Sequence, residues 1–271
     1  MLRLRILTAV IGVPLVVLSL ILGPYPFAIF LCVVAAFCTY ELGSLAYGLT
    51  RSDVLVVIAI AWSMVLAAMR LLPLSTPLLS LLVTVPVVAS LLVLLGPVGR
   101  NRTFAQWSWT MAGAVYVGWL LGHWGGLYVL SGGRDLVFFG MFTTFFYDTF
   151  AFFTGRAVGR HKMAPHLSAG KTWEGAVGGL LMAVVGALVI RSVLLSLSGA
   201  FVFSAPVTAL CAACIAVAAQ IGDLVESALK RNAGVKDAGG VLPGHGGMLD
   251  RFDSLLFVGP MLYYVTLWVT A

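Results

Sequence analysis

Runs of apolar residues long enough to cross a bilayer recur along this chain, and no other feature limits its fold so tightly. A hydrocarbon core about 30 Å thick takes roughly 20 residues of helix. On that ruler nine runs qualify: residues 6–22, 27–46, 54–72, 78–95, 107–130, 137–154, 175–195, 201–221 and 255–270. Of the 271 residues, 61% are hydrophobic and only 10% charged, and the mean hydropathy is +1.06. A soluble domain is about half apolar and roughly a quarter charged. One aqueous core cannot hide this much apolar surface, so the sequence predicts an all-α polytopic membrane bundle of about nine transmembrane helices. The runs lack the alternation of barrel strands.

Arg3 and Arg5 precede the first run as they would in a signal peptide, but the run is too long and no small-x-small cleavage site follows it. It reads as an uncleaved helix with its N-terminus in the cytoplasm. Nine spans in that orientation place thirteen of the 16 basic residues inside and leave Arg70, Arg134 and Arg191 outside, as the positive-inside rule requires. The net charge of +6 follows from this bias and gives no reason to expect nucleic acid. Cys32, Cys38, Cys211 and Cys214 all fall within spans. The "CAAC" pair at 211–214 lacks a second pair and reads as small residues at a helix contact.

Only two segments on the cytoplasmic side are polar enough for chemistry, residues 154–175 and 222–253. They divide the chain into N-terminal transmembrane helices, 1–135, and a C-terminal catalytic region, 136–271. Together the two segments hold eight of the 16 basic residues and six of the ten acids. The spacing predicts that the eighth helix continues past its apolar run, with Asp223, Glu226, Ser227 and Lys230 on one face, and breaks at "NAG". Gly239, Gly240, Gly244, Gly246 and Gly247 then make a turn that exposes backbone, and Asp250 and Asp253 open the ninth span. Asp148, an ionisable group inside a span, is a functional candidate by its cost alone.

Topology explains the cations but not the acids set among them, since acids contribute little to orientation. Carboxylates that suit a hard cation such as Mg²⁺, cations that neutralise phosphate oxygens, and a glycine-rich turn offering N–H groups together suit phosphate chemistry on a divalent metal. "AGKT" at 169–172 imitates the end of a P-loop, but Pro165 stands where the motif needs glycine and no strand is expected before it. His123 reads as a packing residue, His161 and His166 as polar surface, and His245 as a phosphate- or metal-side group. The imidazole and thiolate cluster of a zinc site is missing.

Ser227, Lys230-Arg231, Lys236-Asp237, Pro243, His245-Gly246-Gly247, Asp250-Arg251 and Asp253 stand at the spacing of the phosphatidate cytidylyltransferase (CDP-diacylglycerol synthase) family signature, which this segment resembles throughout. The segment from Tyr147 to Gly175 is also similar to the family's second polar stretch, departing at Ala169, where many members carry proline. Residues 1–135 match only as generic spans. The resemblance implies transfer of CMP from CTP to phosphatidic acid, with Mg²⁺ as cofactor and a second, monovalent cation left open. It implies Asp223 and Asp250 as principal metal ligands, with Asp253, Glu226 and Asp148 around them. Lys171, Lys230, Arg231, Lys236 and Arg251 would hold phosphates, with Ser227, His245, Asp237, Gly246 and Gly247 lining the substrate. The expected setting is a bacterial inner membrane with the site facing the cytoplasm, and the long apolar faces leave room for a homodimer. A transporter and a CTP-dependent lipid kinase are the alternatives, separable by product.

Overall fold

The computed structural model describes residues 2–45, 53–95, 104–236, 238–240 and 246–270, with side chains from Gly12 onward. Among them are nine helices: α1 (Leu2–Leu22), α2 (Pro24–Leu45), α3 (Val54–Ala68), α4 (Thr76–Leu95), α5 (Phe104–Tyr128), α6 (Gly133–Val158), α7 (Trp173–Ser198), α8 (Ala205–Asn232) and α9 (Leu249–Thr270). The all-α expectation holds apart from one hairpin, β1 (Lys162–Ala164) with β2 (Ser168–Thr172). Six helices, α2, α4, α6, α7, α8 and α9, are long and apolar enough to cross a membrane.

Helix ends follow local chemistry. Asp53 caps α3 by accepting from Leu55 N at 3.2 Å, and the Thr172 hydroxyl caps α7 by accepting from Gly175 N at 3.1 Å. Gly199 closes α7 in the left-handed conformation, φ +74°, where a side chain would be strained. α3 ends at Ala68, short of the 72 predicted, and its last turn tightens through Leu71 N donating to Ala68 O at 2.9 Å ahead of Pro73.

The chain forms two compact units, Met1–Gly126 with Ala233–Arg251, and Leu127–Asn232 with Phe252–Ala271. In the first unit α3 and α5 meet around buried Ala59, Trp62, Leu66, Met111 and Ala114. Gly118 and Gly122 let the backbones close, since a Cβ there would stand 2.5 Å from Ser63 O and 2.4 Å from Leu66 O. α4 buries only Ser90, as a helix with lipid for a neighbour should.

In the second unit α7 lies along α6 through small residues. A Cβ on Gly175, Gly178, Gly179 or Gly186 would strike Ala151 O, Thr154, the Ala151 Cβ or the Phe146 ring, respectively. Close approach through small side chains is how membrane helices gain packing energy without a hydrophobic drive. The opposite face of α7 exposes Val177, Leu181, Val185, Val189 and Val193 at four-residue spacing.

No strand is expected before "AGKT" in the polar segment 154–175, and the structure corrects this with a hairpin. α6 runs on to Val158, and the remainder folds back on itself. Pro165 occupies the second turn position, with Ala164 O accepting from Leu167 N at 3.1 Å. His161 O accepts from Trp173 N at 3.0 Å and closes the base. A strand therefore does precede "AGKT", and Gly170 and Lys171 lie within β2 rather than in a phosphate loop.

Candidate active site

The second unit gathers its charges where α8, α9 and the hairpin meet. Gly222 makes that meeting possible: a Cβ there would stand 2.5 Å from Asp253 O and 3.1 Å from Ser254 Cα. With α8 and α9 this close, Asp223, Glu226 and Asp253 each offer a carboxylate oxygen, and the three lie within 4.8 Å of one another. Three hard oxygen donors in that space can hold a divalent cation.

Two ammonium groups balance the acids. Lys171, carried by β2, pairs with Asp223 Oδ2, and the Ser227 hydroxyl approaches Asp223 Oδ1 at 3.4 Å. One turn further along α8, Lys230 pairs with Glu226 Oε2, with side-chain exposures of 12% and 0%. Asp148 of α6 stands within electrostatic reach of Asp223 and Lys171, as Asp253 does.

Arg231 donates from Nε to Leu167 O at 3.1 Å, tying the end of α8 to the hairpin turn. The hairpin base is held by Glu174, which accepts from Arg160 N at 3.1 Å, from His161 N at 3.2 Å and from the His161 ring at 2.5 Å. His161, read as polar surface, thus helps to place Lys171. Another pair absent from the sequence reading sits beside the acids: Tyr147 donates to Gln220 Oε1 at 2.7 Å.

The first unit holds the rest. Asp250 Oδ2 accepts from Ala238 N at 3.0 Å and Gly247 N at 2.9 Å. Gly246 is left-handed, φ +83°, with room for a Cβ only 3.1 Å from Asp250 Oδ2. Lys236 and Arg251 are exposed. Asp237, Pro243 and His245 lie outside the described residues. Sequence reasoning overlooked Glu41 of α2, which is buried at 1% exposure and accepts from Leu249 N at 2.8 Å. The rule that singled out Asp148 applied equally to this acid, which falls inside the second predicted span.

These features define an integral membrane protein whose polar site pairs a metal-competent acid cluster with phosphate-competent cations. The Cytidylyltransferase family matches the chain over residues 3–269. A phosphatidate cytidylyltransferase of Bacillus subtilis (strain 168) is 31% identical over 263 residues, covering 96% of each chain. One from Thermotoga maritima is 39% identical over 187 residues, 69% of this chain and 68% of the relative. One from Brucella abortus (strain 2308) is 47% identical over 116 residues, 43% and 41% of the two. The chain belongs to the cytidylyltransferase family and is an enzyme that transfers nucleotidyl groups.

Proposed function

We propose that this enzyme transfers CMP from CTP to phosphatidic acid, giving CDP-diacylglycerol and pyrophosphate for phospholipid synthesis. The observation that carries the reading is one face of α8, where Asp223, Glu226, Ser227 and Lys230 converge with Asp253 and Lys171. An oxygen of the lipid phosphate attacks the α-phosphorus of CTP, and the bond to the β-phosphate breaks. The nucleophile is already anionic at neutral pH, so no strong base is needed. The work is to bring two anions together and to stabilise the leaving pyrophosphate.

Lys171 suits that work, because its ammonium can exchange the half-exposed Asp223 carboxylate for a phosphate oxygen, and Lys230, held on buried Glu226, adds positive charge on the same helix. Arg231, Lys236, Arg251, Asp237 and His245 are proposed around the triphosphate, with the backbone of Gly246 and Gly247. Asp223, Glu226 and Asp253 would hold Mg²⁺. Asp250, one turn before Asp253 on α9, is proposed as a further ligand, and Asp148 as a neighbour that balances charge. Bound there, the ion would neutralise triphosphate oxygens and orient them for in-line attack. A cytosolic nucleotide and a membrane lipid can meet only at the bilayer boundary, so the site is placed at the cytoplasmic face of a bacterial inner membrane.

The test uses detergent-purified protein, phosphatidic acid, Mg²⁺ and CTP labelled on the α-phosphate. The expected result is labelled lipid that disappears with chelator. Label reaching lipid only from γ-labelled CTP would replace the reading with a lipid kinase. No labelled lipid from either nucleotide would turn attention to transport.

A further inference from the structure

Glu41 is an odd residue for its position. It lies near the C-terminal end of α2, where the helix dipole disfavours a carboxylate, and it is buried at 1% exposure in a helix otherwise suited to lipid. A buried carboxylate is costly unless donors replace its lost water. The donor here comes from 208 residues further on: Leu249 N, the first residue of α9, donates to Oε2 at 2.8 Å. The positive end of α9 faces the acid as well, so α2 supplies an acceptor for the first amide of that helix.

Two glycines are fitted around the same carboxylate. A Cβ on Gly239 would stand 2.6 Å from Glu41 Oε1, and one on Gly247 2.6 Å from Oε2. Gly246 needs to be glycine for its left-handed backbone, but Gly239 and Gly247 have no positive φ. Space, not backbone angle, excludes a side chain at both, and Glu41 occupies that space. The backbones of Gly239 and Gly247 also adjoin, since the Gly247 Cβ would meet Gly239 N at 2.9 Å. Asp250 then gathers Ala238 N and Gly247 N from the other side.

We propose that Glu41 is a positioning residue for the reaction: a buried latch on α2 that holds Gly239, Gly247 and the first amide of α9 in place and so sets where Asp250 and Arg251 stand. The latch rests on the cytidylyl-transfer reading for its purpose, but not for its geometry.

The test follows hydrogen–deuterium exchange and CMP transfer in the full-length protein in detergent. Glu41→Ala is expected to speed exchange of the amides at 246–251 by about tenfold, the scale of one lost hydrogen bond to a charged acceptor, with exchange in α5 unchanged and the melting temperature lowered by only a few degrees. Turnover should fall by a similar factor. Gly239→Ala should be as slow, and adding Glu41→Asp, which shortens the acid by one methylene, should recover at least threefold of that loss by relieving the clash. Unchanged exchange at 246–251 in Glu41→Ala, or a double variant whose loss equals the product of the single losses, would overturn the latch. If Glu41→Ala does not fold, the Gly239→Ala and Glu41→Asp pair decides alone. If wild-type protein transfers no CMP, the activity reading falls, and exchange still decides the latch.

Discussion

Glu226 is fully buried and Lys230 nearly so, and each is tolerable there because the other is present. Removing one member of such a pair leaves an uncompensated charge, whereas replacing both with apolar groups is often neutral. Glu226→Gln should therefore cost about 3–5 kcal/mol of stability, and the Glu226→Leu/Lys230→Met double variant should return to within about 1 kcal/mol of wild type. Denaturation in detergent reads the first effect. CMP transfer reads the second, since the double variant should be stable yet inactive. A Glu226→Gln protein as stable as wild type would remove the pair as a structural anchor. These residues were legible in the sequence because the three- and four-residue spacing of a helix aligns them. Glu41 was legible only as a costly acid inside a span, by the rule that marks Asp148; what it holds was not, because its partner is 208 residues away and no periodic spacing links them.

At the scale of elements, the site depends on how closely α8 and α9 approach. Gly222 controls that distance against backbone atoms, which cannot rotate aside. Gly222→Ala should force the helices apart by several tenths of an ångström without altering any carboxylate. We expect turnover to fall at least tenfold, ~1.4 kcal/mol in the barrier, with the cation concentration for half-maximal rate rising because the three oxygens no longer converge. Activity and cation dependence like wild type would mean that this crossing does not set the ligand geometry. The extension of α8 to Asn232 follows from its charged face and its glycine-containing stop. The hairpin was illegible for a physical reason: its strands have three and five residues, too few for a pattern. They are held by contacts from outside, Glu174 at the base and Arg231 at the turn.

For the whole molecule, six helices among the described residues have the length and apolar composition to cross a membrane, and nine apolar runs stand in the sequence. α3 has 15 residues, about 22 Å of helix at 1.5 Å per residue. α5, at 25 residues, is long enough to cross but carries Gln106, Ser108 and His123 among its apolar residues. Orientation can be tested without deciding the total, because α6 alone separates two exposed positions, Arg134 near its start and His166 beyond its end. With Cys32, Cys38, Cys211 and Cys214 replaced, Arg134→Cys should react with an impermeant maleimide added to intact spheroplasts. His166→Cys should react only after permeabilisation, because the excess of basic residues on the hairpin side marks it as cytoplasmic. The reverse pattern would invert the protein and put Lys171 and the acid cluster on the side without CTP. Labelling of both from outside would mean that α6 does not cross. The charge bias and the proposed use of CTP are independent arguments for a cytosolic hairpin, and the labelling pattern tests both at once.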